Sequence, residues 1–227
     1  MAEGDLVVER ALAAGCQPVS ALVDHRRPPP VALRLAEQVP VYAGGEHVRA
    51  MVTQLGVPSA VIAVFRRPAR ATVAQLAERA DRIVVVEAVD NPANIGAIVR
   101  NAAGLGWDGL VLDVTSADPL SRRSMRVSMG HAVAFPHART RNVAESLRML
   151  AAAGFVVVAL TPDGDIGLDD IAVSQRLVVC VGAERVGLST AALGASTLRA
   201  RIPMHGGVDS LNVAAATAIA CHALRRR

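Results

Sequence analysis

Three short polar segments, each following an apolar run, carry the side chains of this 227-residue chain whose types and spacing suit chemistry. The last of them runs Arg201-Ile202-Pro203-Met204-His205-Gly206-Gly207-Val208-Asp209-Ser210-Leu211-Asn212 and leads into an alanine-rich helix from Val213. Gly206 and Gly207 let backbone approach a bound group closely. Asn212 is a good N-cap for the following helix. Ser210 and Asn212 lie two apart, so in an extended loop their side chains share a side. These are the ingredients of a ligand loop. An ordinary strand-to-helix turn with a capping Asn has the same ingredients, and the segment alone leaves both readings open.

The earliest segment reads Val89-Asp90-Asn91-Pro92-Ala93-Asn94-Ile95-Gly96-Ala97-Ile98-Val99-Arg100-Asn101. It follows a buried strand and opens a helix, which puts Asn94 and Gly96 at the helix N-terminus. Arg100 comes six positions after Asn94, under two turns along and roughly 240° around the axis. From there it reaches a phosphate or hydroxyl near the strand ends, although a solvated helix face fits the same spacing. The middle segment, Val181-Gly182-Ala183-Glu184-Arg185-Val186-Gly187-Leu188-Ser189, sits at the carboxyl end of an apolar strand. Open α/β sheets place their ligands there. Gly182 permits close backbone approach, and Glu184 offers a carboxylate that also complements a helix dipole. A fourth segment is a decoy. Gly104-Leu105-Gly106-Trp107-Asp108-Gly109 matches G-x-G-x-x-G, but it comes after a helix and before a strand, the reverse of the dinucleotide fingerprint. It reads as a glycine turn at a helix C-terminus.

Positioning these segments takes a sheet. Apolar strand signals at 83–89, 109–113, 155–160, 177–181 and 198–203 alternate with helical stretches at 94–104, 121–131, 142–153 and 189–195, and a last helix closes the chain. Near-continuous apolar strands separated by helices predict an α/β fold, its mostly parallel sheet covered by helices on both faces. Residues 1–67 alternate in shorter elements: helices at 6–14, 31–38 and 46–55, and strands at 19–23, 39–43 and 59–65. They read as a small α/β domain. Arg66-Arg67-Pro68-Ala69-Arg70 marks a boundary, with a linker over 68–80 and a catalytic domain over 81–227.

Composition narrows the class. At 52% apolar and 19% charged residues the chain is globular. No apolar run approaches the ~18 residues of a transmembrane helix, and the first residues carry no signal-peptide pattern. No membrane partner and a cytoplasmic location are therefore expected. The three cysteines, Cys16, Cys180 and Cys221, show no metal spacing, so no metal is expected, and Cys180 reads as a buried thiol. A net charge of +4 suits a nucleic-acid partner. All 24 basic residues are arginine, which reflects codon bias as readily as phosphate binding. Three Phe, one Tyr and one Trp are too few for reading single strands by stacking. Arg122, Arg123 and Arg126 cluster on a predicted helix and are candidates for an RNA-facing patch, a solvated face being the alternative.

Together the three segments resemble the SpoU family of RNA 2′-O-methyltransferases, within the SPOUT superfamily. The family's N-x-G-x-x-x-R-N motif matches Asn94 to Asn101, its G-x-E-x-x-G-L-S motif matches Gly182 to Ser189, and its I-P-M…S-L-N-V motif matches Ile202 to Val213. The resemblance implies a C-terminal deep trefoil knot, S-adenosylmethionine bound in a bent form within it, and a homodimer. Gly182, Ile202 and Leu211 match cofactor-contacting positions, with Thr161 and Met204 as further candidates. Asn94, Arg100, Glu184, Ser210 and Asn212 match the catalytic positions. Arg185 stands where the family often has a small residue. Glu3-Gly4, the run Val8 to Leu12, Val41-Tyr42 and the strand Val61 to Val64 resemble a ribosomal-protein-like RNA-binding domain, here without the helix and strand that usually precede Glu-Gly. The implied activity is methyl transfer to a ribose 2′-hydroxyl of structured RNA, rRNA ahead of tRNA. The rival expectation is an RNA-binding module of the same fold without turnover.

Overall fold

The computed structural model describes residues 1–53, 57–172, 175–206 and 209–226. The chain divides into two compact units, Met1–Ala69 with Pro119–Ala134, and Arg70–Asp118 with Phe135–Arg227.

The first unit opens with β1 (Ala2–Glu3), α1 (Asp5–Ala13), β2 (Pro18–Asp24), α2 (Val31–Ala36), β3 (Val41–Gly44), α3 (Glu46–Thr53) and β4 (Val61–Phe65). Its sheet runs β1-β4-β2-β3, with β4 antiparallel to both neighbours and β2 parallel to β3. Val8, Ala11, Ala21, Val23, Leu35, Val61 and Ala63 are buried at its centre. The buried Arg49 ties three chain segments together, donating to Asp24 Oδ2 at 2.6 Å, to Ser59 O at 2.7 Å and to Gly44 O at 3.3 Å. A buried guanidinium is tolerated because its donors are matched by acceptors.

The second unit starts inside the expected linker. Residues 68–80 carry α4 (Val73–Arg79), begun by a reciprocal capping box between Thr72 and Gln75. Val73, Leu76 and Ala77 of α4 join the main core, so this stretch packs as part of the unit. Then come β5 (Arg82–Glu87), α5 (Pro92–Gly104) and β6 (Gly109–Asp113). The chain next leaves for the first unit, where α6 (Arg122–Val127) and a short 3-10 turn at His131–Val133 lie. Glu3 draws it there: its carboxylate takes Arg122 Nε and, at 2.7 Å, Arg126 Nη2. Apolar periodicity at 121–131 cannot register such a polar anchor. The segment belongs structurally to the first unit, although it lies within the span 81–227 read from sequence as catalytic.

Returning, the chain forms β7 (His137–Thr140), α7 (Val143–Ala152), β8 (Val156–Leu160), β9 (Ile166–Gly167), β10 (Leu177–Gly182), α8 (Thr190–Gly194), β11 (Leu198–Arg201) and α9 (Val213–Ala223). Among the described residues seven strands make one parallel sheet, ordered β7-β6-β5-β10-β8-β11-β9. β5, β6 and β10 are buried along nearly their whole length, as the unbroken apolar runs require. β7 and β9 carry no apolar run, and the sequence did not announce them. The chain leaves β5 towards β6 and β7, then returns to build β8 and β11 on the other side. β10 enters between β5 and β8. The crevice of an open α/β sheet lies at such a reversal of strand order. Cys180 on β10 is fully buried, and burial pushes its thiol pKa far up. α9 packs on α5, held by Asn101 Nδ2 donating to Ala214 O at 3.2 Å and Trp107 Nε1 to Cys221 O at 3.0 Å. Among the described residues no helix is long and apolar enough to cross a membrane.

Candidate active site

Glu87 and Gly182 are register partners at the carboxyl ends of β5 and β10, and the motif loops leave from there. Asn91 caps α5, its side chain accepting from Ala93 N at 2.9 Å, and Pro92 occupies the first helical turn. Asn94 is thereby fixed in that turn, facing the loop after β10. That loop folds back on itself: Ala183 bridges Gly187, and Gly187 N donates to Ala183 O at 2.8 Å. A Cβ on Gly182 would lie 2.2 Å from the Gly187 carbonyl carbon. The backbone that needs Gly182 bare is the loop's own. Ser189 closes the loop, donating from N and Oγ to the two oxygens of Glu87 at 2.8 Å each while its Oγ caps α8.

Held this way, Glu184 meets two asparagines from distant parts of the chain. Asn94 Nδ2 donates to Glu184 Oε1 at 3.1 Å, and Asn212 Nδ2 donates to the same oxygen at 2.6 Å. Asn212 Nδ2 also donates to Asn94 Oδ1 at 3.0 Å. The other face of Asn212 is the cap of α9, with Oδ1 accepting from Ala214 N at 3.0 Å and Ala215 N at 3.3 Å. Val213 N points at Glu184 Oε1 from 3.5 Å. The carboxylate thus sits at the N-termini of α5 and α9, where unpaired N–H groups and aligned peptide dipoles favour negative charge.

A count of hydrogen-bonding capacity then says which atoms remain for a ligand. Asn212 has two N–H donors and an oxygen with two lone pairs, and the four bonds above use them all. Asn94 keeps one N–H and one lone pair. Glu184 Oε2 has no hydrogen bond among the described residues. The cluster is solvent-accessible, with Glu184 and Asn212 exposed and Asn94 half-buried. Its acceptors left for a ligand are Glu184 Oε2 and the second lone pair of Asn94 Oδ1.

Of the other residues expected from sequence, Arg100 is exposed on α5 and Ser210 on the loop before α9. No hydrogen bond among the described residues joins either to the three-residue cluster. Three of the five cofactor candidates lie at the ends of neighbouring strands. Gly182, Thr161 and Ile202 stand at the ends of β10, β8 and β11, adjacent strands in the sheet, and Met204 and Leu211 follow. All five are half-buried and none carries a charge, which fits a ligand with an adenosyl group and aliphatic chain. Gly164, after β8, lies so close to β11 that a Cβ there would come within 2.3 Å of the Ala200 carbonyl carbon. Arg122 and Arg126 already share Glu3, whereas Arg123 is exposed. Gly207 and Val208 of the last motif lie outside the described residues. Sequence reasoning missed Glu87; its signal was an acid ending an apolar strand immediately before a motif loop.

The family model of the SpoU rRNA Methylase family matches residues 81–222. An uncharacterised tRNA/rRNA methyltransferase of Mycobacterium bovis is 41% identical over 225 residues, covering 97% of this chain and 78% of that protein. An AdoMet-bound rRNA methyltransferase from Sinorhizobium meliloti superposes with a TM-score of 0.88 at 28% identity, over 98% of this chain and 85% of its own. A crystal structure of an RNA 2′-O ribose methyltransferase superposes with 0.83 at 27% identity, over 98% and 86%. The strand order, the three motif loops and these likenesses agree, and the chain belongs to the SpoU rRNA methylase family.

Proposed function

We propose that the protein transfers a methyl group from S-adenosylmethionine to a ribose 2′-hydroxyl of structured RNA in the cytoplasm, with rRNA as the favoured substrate over tRNA. The observation that carries this reading is the hydrogen-bonded meeting of Asn94, Glu184 and Asn212 at the reversal of strand order. The cofactor, when bound, supplies an electrophilic methyl on a sulfonium. Thr161, Gly182, Ile202, Met204 and Leu211 hold it. With the cofactor supplying the methyl group, Glu184 Oε2 would take the hydroxyl proton of the target ribose. Asn94 and Asn212 hold that carboxylate in place through Oε1 and leave Oε2 for the substrate. Arg100 anchors the phosphate beside the target ribose; a guanidinium has five N–H donors and no acceptor, so it serves as a donor, not a base. Ser210 orients the hydroxyl.

The family's trefoil knot is assigned to the C-terminal segment, a reading supported by the close passage of Gly164 against Ala200 and Arg201. A homodimer is supported by α9, an almost wholly apolar helix whose Ile219 stays 42% exposed. Ile219 borders an open groove of about 680 Å³ with Leu105, Leu168 and Ile171.

The test is incorporation of labelled methyl from S-adenosylmethionine into purified rRNA, tRNA and a DNA copy. The expected product is alkali-resistant dinucleotide from rRNA, with none from DNA, which lacks the nucleophile. Label recovered on a base would overturn the ribose assignment. RNA binding without incorporation would favour the module without turnover.

A further inference from the structure

The net charge of the chain is not shared between its two units. The first unit holds ten arginines against six carboxylates, and the second holds fourteen against fourteen. The whole excess of +4 therefore resides in the smaller unit. Much of that unit's basic charge is already engaged: Arg49 by Asp24, Arg122 and Arg126 by Glu3, Arg10 by the Met129 carbonyl, and Arg67 within the fold. Arg26 and Arg27 are different. They stand side by side after His25, all three exposed, and neither guanidinium has a partner among the described residues.

Their backbone is nevertheless fixed. Asp24 Oδ1 accepts from Arg26 N at 2.9 Å and from Arg27 N at 3.4 Å, while Asp24 Oδ2 is pinned by the buried Arg49 at 2.6 Å. The only nearby acid in this turn is thus spent on N–H groups and on another arginine. Pro28, Pro29 and Pro30 follow, with Pro29 buried, and lock φ on the far side. The turn lies at the carboxyl end of β2 beside the end of β3, where His25 N donates to Gly44 O at 3.3 Å. Two adjacent forks on a rigid turn bind phosphate without a large ordering cost.

We propose that the His25-Arg26-Arg27 turn is the docking site of the first unit for the RNA sugar–phosphate backbone. This rests on the reading of RNA as the substrate and names the surface that captures it. The turn supplies attraction and orientation, and sequence is read elsewhere.

The experiment is anisotropy binding of a fluorescein-labelled RNA hairpin by the full chain, from about 50 to 200 mM salt. Replacing both residues (Arg26→Ala with Arg27→Ala) should make the slope of log K against log salt shallower by about 1.4–1.8 and raise KM for rRNA at least tenfold. Arg26→Gln with Arg27→Gln, which keeps side-chain length, should do the same with an unchanged melting profile. Arg26→Lys with Arg27→Lys should restore the slope. Arg34→Ala with Arg66→Ala removes equal charge elsewhere in the unit and should move the slope less than half as far. An unchanged slope in the first two pairs, or an equal loss in the Arg34 and Arg66 pair, overturns the docking site. If the wild-type chain methylates RNA and the slope is unmoved, only this inference fails. If it binds the hairpin with the expected slopes but transfers no methyl, the docking site stands and the enzymatic reading falls.

Discussion

At Asn212 one side chain caps α9 through its oxygen and grips Asn94 and Glu184 through its nitrogen. The two roles can be separated. Asn212→Asp keeps the capping oxygen but loses both N–H donors, and sets a second carboxylate against Glu184. It should lower kcat by about 10²-fold or more while leaving the melting temperature nearly unchanged. Asn212→Ala should add a stability loss of about 1 kcal/mol for the missing cap. A kinetic and melting comparison of the two variants checks this. His137 tests burial instead. It is 8% exposed, its Nδ1 lies 3.1 Å from Phe135 O, and Nε2 is buried with no partner among the described residues. Burial holds its pKa below the ordinary 6.5, helped by Arg70 and Arg139 and opposed by the Phe135 carbonyl and Asp118. The unfolded chain therefore takes up the proton first as pH falls. Stability from this group is complete above 6.5 and declines as pH drops from 6.5 towards the lower folded value. His137→Leu should flatten the fall in urea midpoint over that window.

The elements carry the site through close backbone passages. Gly182→Ala would drive a methyl into the Gly187 carbonyl, backbone that cannot rotate aside. The expected cost is about 1–3 kcal/mol, with a raised KM for S-adenosylmethionine, measured by denaturant unfolding and initial rates. Sequence spacing made Gly182 a place for close approach, but which group approaches is a matter of tertiary folding. The same division holds elsewhere. The strands at 109–113 and 177–181 were legible because their apolar runs are buried on both faces. β7, whose four residues are His137-Ala138-Arg139-Thr140, has no such run and exists through its pairing with β6. Asn94, Glu184 and Asn212 were legible as candidates from their motifs. That they share one oxygen, and that Asn212 has no bond left to give, depends on angles that spacing cannot encode. Glu87 went unread because its partner, Ser189, lies 102 residues away.

At the scale of the whole molecule the two units divide the labour by charge and by apolar surface. The first holds the net positive charge, and the second leaves the face of α9 uncovered. If that face is where a second copy sits, Ile219→Asp should convert a dimer into a monomer, read by light scattering during size exclusion. The loan of residues 119–134 to the first unit has a further consequence, for the order in which the chain matures. A ribosome that has released the first 69 residues has made the four-stranded sheet but not α6. Until Arg122 and Arg126 emerge, Glu3 has neither cation, and its burial is opposed by the cost of an unpaired charge. The small unit must wait, and β5, α5 and β6 are synthesised during the wait. Although first in sequence, it is completed only after these elements of the second unit have been made.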